Sequence, residues 1–94
     1  MDEFSARVDR EGDAIVVSLR GELDLATAPT LQELLDDLAS PICFDCADLS
    51  FVDSSGLAIF ARVDRNGGAP LRGVRPNVRR VLEVAGLDGL VADA

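Results

Sequence analysis

Apolar and polar residues alternate along the first part of the chain. The segments "EFSARV" and "AIVVSLR" each place an apolar side chain at every second position, and the turn-forming stretch "DREGD" separates them. A period of two is typical of half-buried strands, so the pattern predicts two strands joined as a hairpin. The predicted inward positions are Phe4, Ala6, Val8, Ile15, Val17 and Leu19.

Leucines at helical spacing predict a first helix after the segment "GELDLATAP". Thr27 is placed to cap its start, and Pro29 suits the first turn, where the missing N–H is not needed. Pro41 ends this helix, and the short apolar segment "ICFDCA" that follows predicts a central strand. The leucines of the helical stripe are Leu31, Leu34, Leu35 and Leu38.

Two further helices are predicted in the second half of the chain. The segment "SSGLAIFARVDRNGG" has serines at its start and a glycine pair at its end, and "PNVRRVLEVAG" has Pro76 near its start and Gly86 at its end. Between them "APLRGV" is a short strand candidate, and "LDGLVADA" predicts a last short strand or a tail. The element order is therefore ββαβαβα in a single α/β domain spanning residues 1–94.

The composition excludes several kinds of site. The chain has no histidine, which excludes Ser-His-Asp and Cys-His catalysis and any histidine-containing metal site. Cys43 and Cys46 lie three residues apart in a strand-like segment, so we expect them on opposite faces, buried and without a mutual disulfide. We expect neither a metal nor a cofactor. A small catalyst that uses Cys43 or Cys46 is the enzymatic alternative.

The charge and the hydropathy pattern bear on partners and location. A net charge of −8 disfavours direct binding to nucleic acid or to an anionic membrane surface. No apolar run approaches the roughly 20 residues of a membrane-spanning helix, and the acidic N-terminal segment is unlike a secretory signal. We therefore expect a cytoplasmic protein.

The segment "DSSG" at Asp53–Gly56 is open to three interpretations. As a helix N-cap, Asp53, Ser54 or Ser55 accepts hydrogen bonds from the first free N–H groups. A nucleophilic serine would need a base, and the chain contains neither histidine nor lysine. A phosphorylated serine at a helix N-terminus would meet the free N–H groups and the helix dipole there, although the neighbouring Asp53 and Asp24 would repel it.

The segments "GELDLATAPTLQELL" and "DLSFVDSSGLAIFARV" resemble the STAS domain of bacterial anti-sigma factor antagonists. The resemblance extends from the first hairpin to "NVRRVLEVAGLDGLV", and the D-S-S-G-L core preceded by "DLS" is its most specific part. It implies a mixed sheet packed with helices. It also implies that Ser54 is the phosphoacceptor and that Asp24 lies near the same partner-binding face. The loop before "ICFDC" and the C-terminus are shorter than the family pattern.

The function that this resemblance implies is partner switching without enzymatic activity. The unphosphorylated domain would bind an anti-sigma factor with serine kinase activity, phosphorylation of Ser54 would end the binding, and a serine phosphatase would reverse it. The expected partner-binding residues are Asp24, Asp53, Ser55, Gly56 and Leu57. We expect Gly56→Val to impair binding more than stability, because a side chain would block a close partner backbone. The alternative is a STAS regulatory subunit or domain of a transporter or of a signalling scaffold.

Overall fold

A computed structural model describes residues 3–39 and 41–92 of the chain. The ends of the predicted domain 1–94 and position 40 lie outside the described residues. The elements are β1 (Ser5–Glu11), β2 (Ala14–Leu23), α1 (Ala28–Asp36), β3 (Ile42–Val52), α2 (Ser54–Arg65), β4 (Leu71–Arg72), α3 (Pro76–Val84) and a 3₁₀ turn at Asp88–Leu90. The predicted order ββαβαβα is confirmed.

The strands form one mixed sheet in the order β1-β2-β3-β4. β1 and β2 pair antiparallel as the predicted hairpin, and Gly12 takes a φ of +61° in the turn between them. β3 pairs parallel with β2 and with β4. The predicted last strand shortens to a single parallel bridge between Val91 and Leu71. The α/β class with a mixed sheet is therefore confirmed.

β2 and β3 extend further than their hydrophobic patterns predict. β2 continues to Leu23 and β3 to Val52, and these two residues pair with each other. The register shifts twice on the way, between Ser18 and Arg20 and again between Gly21 and Glu22. Both shifts place the extra residues on β3, and they break the alternation along that strand, which is why its sequence pattern ended too early. The alternation of β2 continues through the buried Gly21 to Leu23, but a glycine adds no apolar side chain to the pattern. Because β2 and β3 are parallel, the segments that follow them meet at one edge of the sheet.

One hydrophobic core lies between the helices and one face of the sheet. The ring centroids of Phe44 on β3 and Phe60 on α2 are 5.1 Å apart in a tilted arrangement, and both side chains are fully buried. Of the predicted leucine stripe on α1, Leu31 and Leu35 are buried. Leu34 and Leu38 pack against the core from its margin. The amphipathic pattern therefore found the correct face of the helix.

The two cysteines are free and lie on opposite sides of β3, as predicted. Cys46 faces the core, and its burial raises the pKa of its thiol to about 12. Cys43 faces the other side, which the helices leave open, and is only partly buried. Its burial still raises the pKa of its thiol. The expectation that both cysteines are buried is therefore right for Cys46 and wrong for Cys43, and neither thiol is activated as a nucleophile.

The two thiols should react at very different rates in the folded protein. A bulky maleimide at pH 8 should label Cys43 slowly and should not label Cys46 until denaturant is added, because Cys46 is enclosed and stays protonated. Mass spectrometry of native and denatured samples measures this, with Cys43→Ser as the control that should take up no label when native. Equal labelling of both cysteines in the native protein would contradict the assignment.

Candidate functional site

The candidate site lies where β2 and β3 end side by side. The N–H of Asp53 donates to the carbonyl of Leu23 at 3.1 Å, which joins the end of β3 to the end of β2. The loop from residue 24 to residue 27 follows β2, and α2 begins directly after Asp53. The sheet thus brings together the two segments, "GELD" and "DSSG", that the sequence singled out.

Asp53 connects these two segments with a single carboxylate. Its Oδ1 accepts from the N–H of Ser55 at 2.8 Å and from the N–H of Gly56 at 3.4 Å, which caps α2. Its Oδ2 accepts from the N–H of Leu25 at 3.2 Å in the neighbouring loop. Among the three N-cap candidates, the structure therefore selects Asp53. A cap of this kind typically contributes about 1 kcal/mol.

Ser54 is the first residue of α2 and its side chain is exposed, whereas Ser55 is partly buried. The first turn of α2 contains no acidic residue. A negative group on Ser54 would therefore lie at the positive end of the helix dipole, with the carboxylate of Asp53 as its acidic neighbour. Of the two serines, Ser54 is the more accessible to an enzyme.

Asp24 shapes the loop between β2 and α1. Its Oδ1 accepts from the N–H groups of Ala26 and Thr27, at 3.0 and 3.1 Å. The Thr27 hydroxyl donates to the carbonyl of Glu22 at 2.8 Å and accepts from the N–H of Asp24 at 2.9 Å. Thr27 stands at the N-cap of α1 as predicted, but its hydroxyl stabilises this loop and does not cap the helix. Asp24 directly precedes Leu25, whose N–H donates to the Asp53 carboxylate.

Gly56 faces the interior. A Cβ atom at this position would lie 2.6 Å from the Val52 side chain and 2.7 Å from that of Leu23. Real Cβ atoms do not approach other atoms so closely, so the glycine lets α2 lie against the ends of β2 and β3. The expectation that Gly56→Val would impair binding more than stability is therefore corrected: the added side chain meets the core before it meets a partner.

Leu57 lies at the margin of the core. It is partly buried and packs against the core cluster, in a cleft between α2 and α3 that Asn77 and Val81 also line. Leu57, which was expected among the partner-binding residues, therefore packs against the core on its inner side, and its outer side opens into the cleft.

Leu25 is a functional candidate that the hydrophobic pattern does not single out. Its side chain is 77% exposed at the tip of the loop, although leucine is usually buried. Its position between Asp24 and Ala26, outside both the strand and the helix pattern, is the signal that could have found it. The backbone N–H of Leu25 donates to the carboxylate of Asp53, which precedes Ser54.

Residues 3–39 and 41–92 contain neither a cluster of metal-ligating side chains nor a helix that could span a membrane. No group of three or more acidic or cysteine side chains is arranged to hold a metal ion. No helix of this part of the chain is long and apolar enough to cross a membrane.

The chain belongs to the STAS domain family. The family model described as "Mlab, STAS domain" matches residues 6–92, which includes every strand and helix of the sheet and core apart from the first residue of β1. STAS anti-sigma factor antagonists are regulatory proteins without enzymatic activity, and the chain is of this regulatory class.

Several of the proteins that the chain resembles are anti-sigma factor antagonists. The chain is 31% identical to the anti-sigma-B factor antagonist of Bacillus subtilis, covering 89% of this chain and 84% of that protein. It is 28% identical to the crystal structure of an anti-sigma factor antagonist from Mycobacterium paratuberculosis, with a TM-score of 0.84 over 95% of this chain and 83% of that one. The fold also matches unphosphorylated SpoIIAA, an anti-sigma factor antagonist, at 24% identity and a TM-score of 0.80 over 96% of this chain and 88% of that one.

Proposed function

We propose that this domain is an anti-sigma factor antagonist that works by partner switching. The unphosphorylated domain binds an anti-sigma factor that is also a serine kinase, and the sigma factor held by that protein is released. Phosphorylation of Ser54 ends the binding, and a serine phosphatase restores the active form. The proposal places these steps in the cytoplasm, where bacterial transcription takes place.

The observation that carries the proposal is the position of Ser54. Ser54 is exposed and is the first residue of α2, and the Asp53 carboxylate caps this helix by accepting from the Ser55 N–H. The names of the relatives supply the class of partner. Ser54 supplies an accessible hydroxyl, and a phosphate on it would face the N-terminal N–H groups of α2.

The chemical step belongs to the kinase. The Ser54 Oγ attacks the γ-phosphorus of ATP, the bond from that phosphorus to the ADP oxygen breaks, and the hydroxyl proton passes to a base of the kinase. The antagonist therefore contributes the nucleophile and the surface that positions it. In the proposed partner-binding set, Asp24, Asp53 and Ser55 are only partly buried and face the partner. Gly56 and Leu57 pack α2 against the core.

Mass spectrometry after incubation with the purified anti-sigma factor kinase and ATP tests this assignment. We expect one phosphate on Ser54, none on Ser54→Ala, and normal phosphorylation of Ser55→Ala, which serves as the matched control. Phosphate on Ser55 alone would move the site by one residue. A domain that neither binds the kinase nor accepts phosphate from it would overturn the proposal and favour the transporter-regulating alternative.

A further inference from the structure

We propose that Leu25 is the apolar anchor of the surface that binds the anti-sigma factor kinase, and that Asp53 positions it. This inference rests on the proposed function and adds to it a side chain that contributes strongly to the affinity. It also assigns to Asp53 a role beyond the helix cap, namely to hold Leu25 and Ser54 in a fixed relation.

The position of Leu25 identifies its partner. A kinase that phosphorylates Ser54 must contact the surface immediately around this serine. Leu25 lies on that surface, because the carboxylate that caps the Ser54 helix also accepts from the Leu25 N–H. A docked kinase would therefore cover the Leu25 side chain, which is 77% exposed in the free domain.

Several hydrogen bonds fix the loop that carries Leu25. The Asp24 carboxylate accepts from two backbone N–H groups of the loop, and the Thr27 hydroxyl bonds both to the end of β2 and to the N–H of Asp24. The Leu25 N–H is held by Asp53. Because the loop backbone is already fixed in the free domain, partner binding costs little backbone entropy there. Burial of the Leu25 side chain therefore contributes most of its free energy to affinity.

The residues around Leu25 are polar, as is common around an apolar side chain that anchors an interface. Binding energy is commonly concentrated in one or two apolar side chains that a ring of polar groups surrounds and shields from water. Polar residues adjoin Leu25 along the chain and across the Asp53 contact: Glu22 and Asp24 come shortly before it, and Ser54 follows Asp53. The partner surface that fits is an apolar pocket with basic groups at its rim, since the surrounding side chains are acidic.

Asp53 acts on Leu25 by a contact that can be removed selectively. In Asp53→Asn one oxygen remains to accept from the Ser55 N–H and cap α2. The new amide group then faces the Leu25 N–H, so a donor meets a donor and the contact is lost. The variant should therefore fold while its Leu25 loop moves more freely.

Titration of the purified anti-sigma factor kinase with unphosphorylated variants tests the anchor. Leu25→Ala should weaken binding at least about thirtyfold, while Leu25→Met, which keeps the volume, should stay within a few-fold of wild type. Val8 was predicted to face inward but is exposed, so Val8→Ala removes another exposed apolar side chain and is the matched control. It lies on β1 opposite Val17, about 20 Å of strand away from the end of β2, and should leave binding unchanged. Wild-type affinity of Leu25→Ala would overturn the anchor.

A double-mutant cycle tests the role of Asp53. Asp53→Asn should weaken binding about tenfold in the wild-type background and by less than about twofold in the Leu25→Ala background, because it acts through Leu25. An equal factor in both backgrounds would show a direct contact of Asp53 with the partner and would overturn the positioning role.

The same titrations separate this inference from the proposed function. If phosphorylation of Ser54 abolishes binding while Leu25→Ala binds as wild type, the function stands and the anchor fails. If phosphorylated and unphosphorylated wild type bind equally, the proposed switch itself fails.

Discussion

Phosphorylation of Ser54 should weaken binding of the anti-sigma factor about a hundredfold or more, a loss of about 2.7 kcal/mol, without unfolding the domain. In the free domain the added charge of about −1.5 to −2 is exposed to water and faces the N-terminus of α2, which offsets repulsion from Asp53. In the complex the partner surface removes that water, and the desolvation of the phosphate beside Asp53 costs more than the basic groups at the partner's rim return.

Binding titrations and thermal melts of the phosphorylated and unphosphorylated domain measure the two halves of this prediction. Ser54→Ala should bind well and resist phosphorylation, and Ser54→Asp should fold normally and bind poorly. Ser55→Ala, phosphorylated on Ser54, should lose binding as the wild type does. Undiminished binding by the phosphorylated wild type would contradict the switch, and a melting temperature far below that of the unphosphorylated domain would contradict the role given to the helix terminus.

Gly56→Val should destabilise the domain by about 3 kcal/mol or more, and Gly56→Ala by roughly 1–3 kcal/mol. The reason is the distance of 2.6–2.8 Å from a new Cβ to the side chains of Val52 and Leu23, which are themselves fully packed in the core. To relieve the overlap, α2 would have to move away from the ends of β2 and β3. The Asp53 cap and the Leu25 contact depend on that spacing, so binding should be lost as a consequence of the displaced helix.

Urea or thermal denaturation measures this loss, and a small domain should show a fall in melting temperature of about 15 °C or more for Gly56→Val. Gly89→Val is the matched control, because a Cβ there meets no atom within 4 Å. It should stay within about 0.5 kcal/mol of wild type. A Gly56→Val domain as stable as wild type but deficient in binding would restore the surface role that the sequence suggested.

The local elements were predictable because their signals are local. Alternation in the first hairpin, the leucine stripe of α1, the prolines near the starts of α1 and α3 and the glycines after α2 and α3 act within a few residues. Where the strand register shifts, as in β3, the same signals fail, because a bulge moves side chains to the other face without any change in composition. In β2 the alternation continues, but Gly21 interrupts the run of apolar side chains. The full lengths of β2 and β3 were therefore missed.

Of the candidate site, the sequence by itself determined the residue types: a carboxylate and two hydroxyls at a helix start, and a second acidic loop elsewhere in the chain. Which of these residues face a partner was decided only by the tertiary structure. Parallel pairing of β2 with β3 brings Leu25 to the carboxylate of Asp53, 28 residues away in the chain, and leaves its side chain exposed. The same packing turns Gly56 towards Leu23 and Val52, and it leaves Cys43 on the uncovered face while Cys46 is enclosed. These outcomes depend on contacts between distant segments, and no periodicity within one segment encodes such contacts.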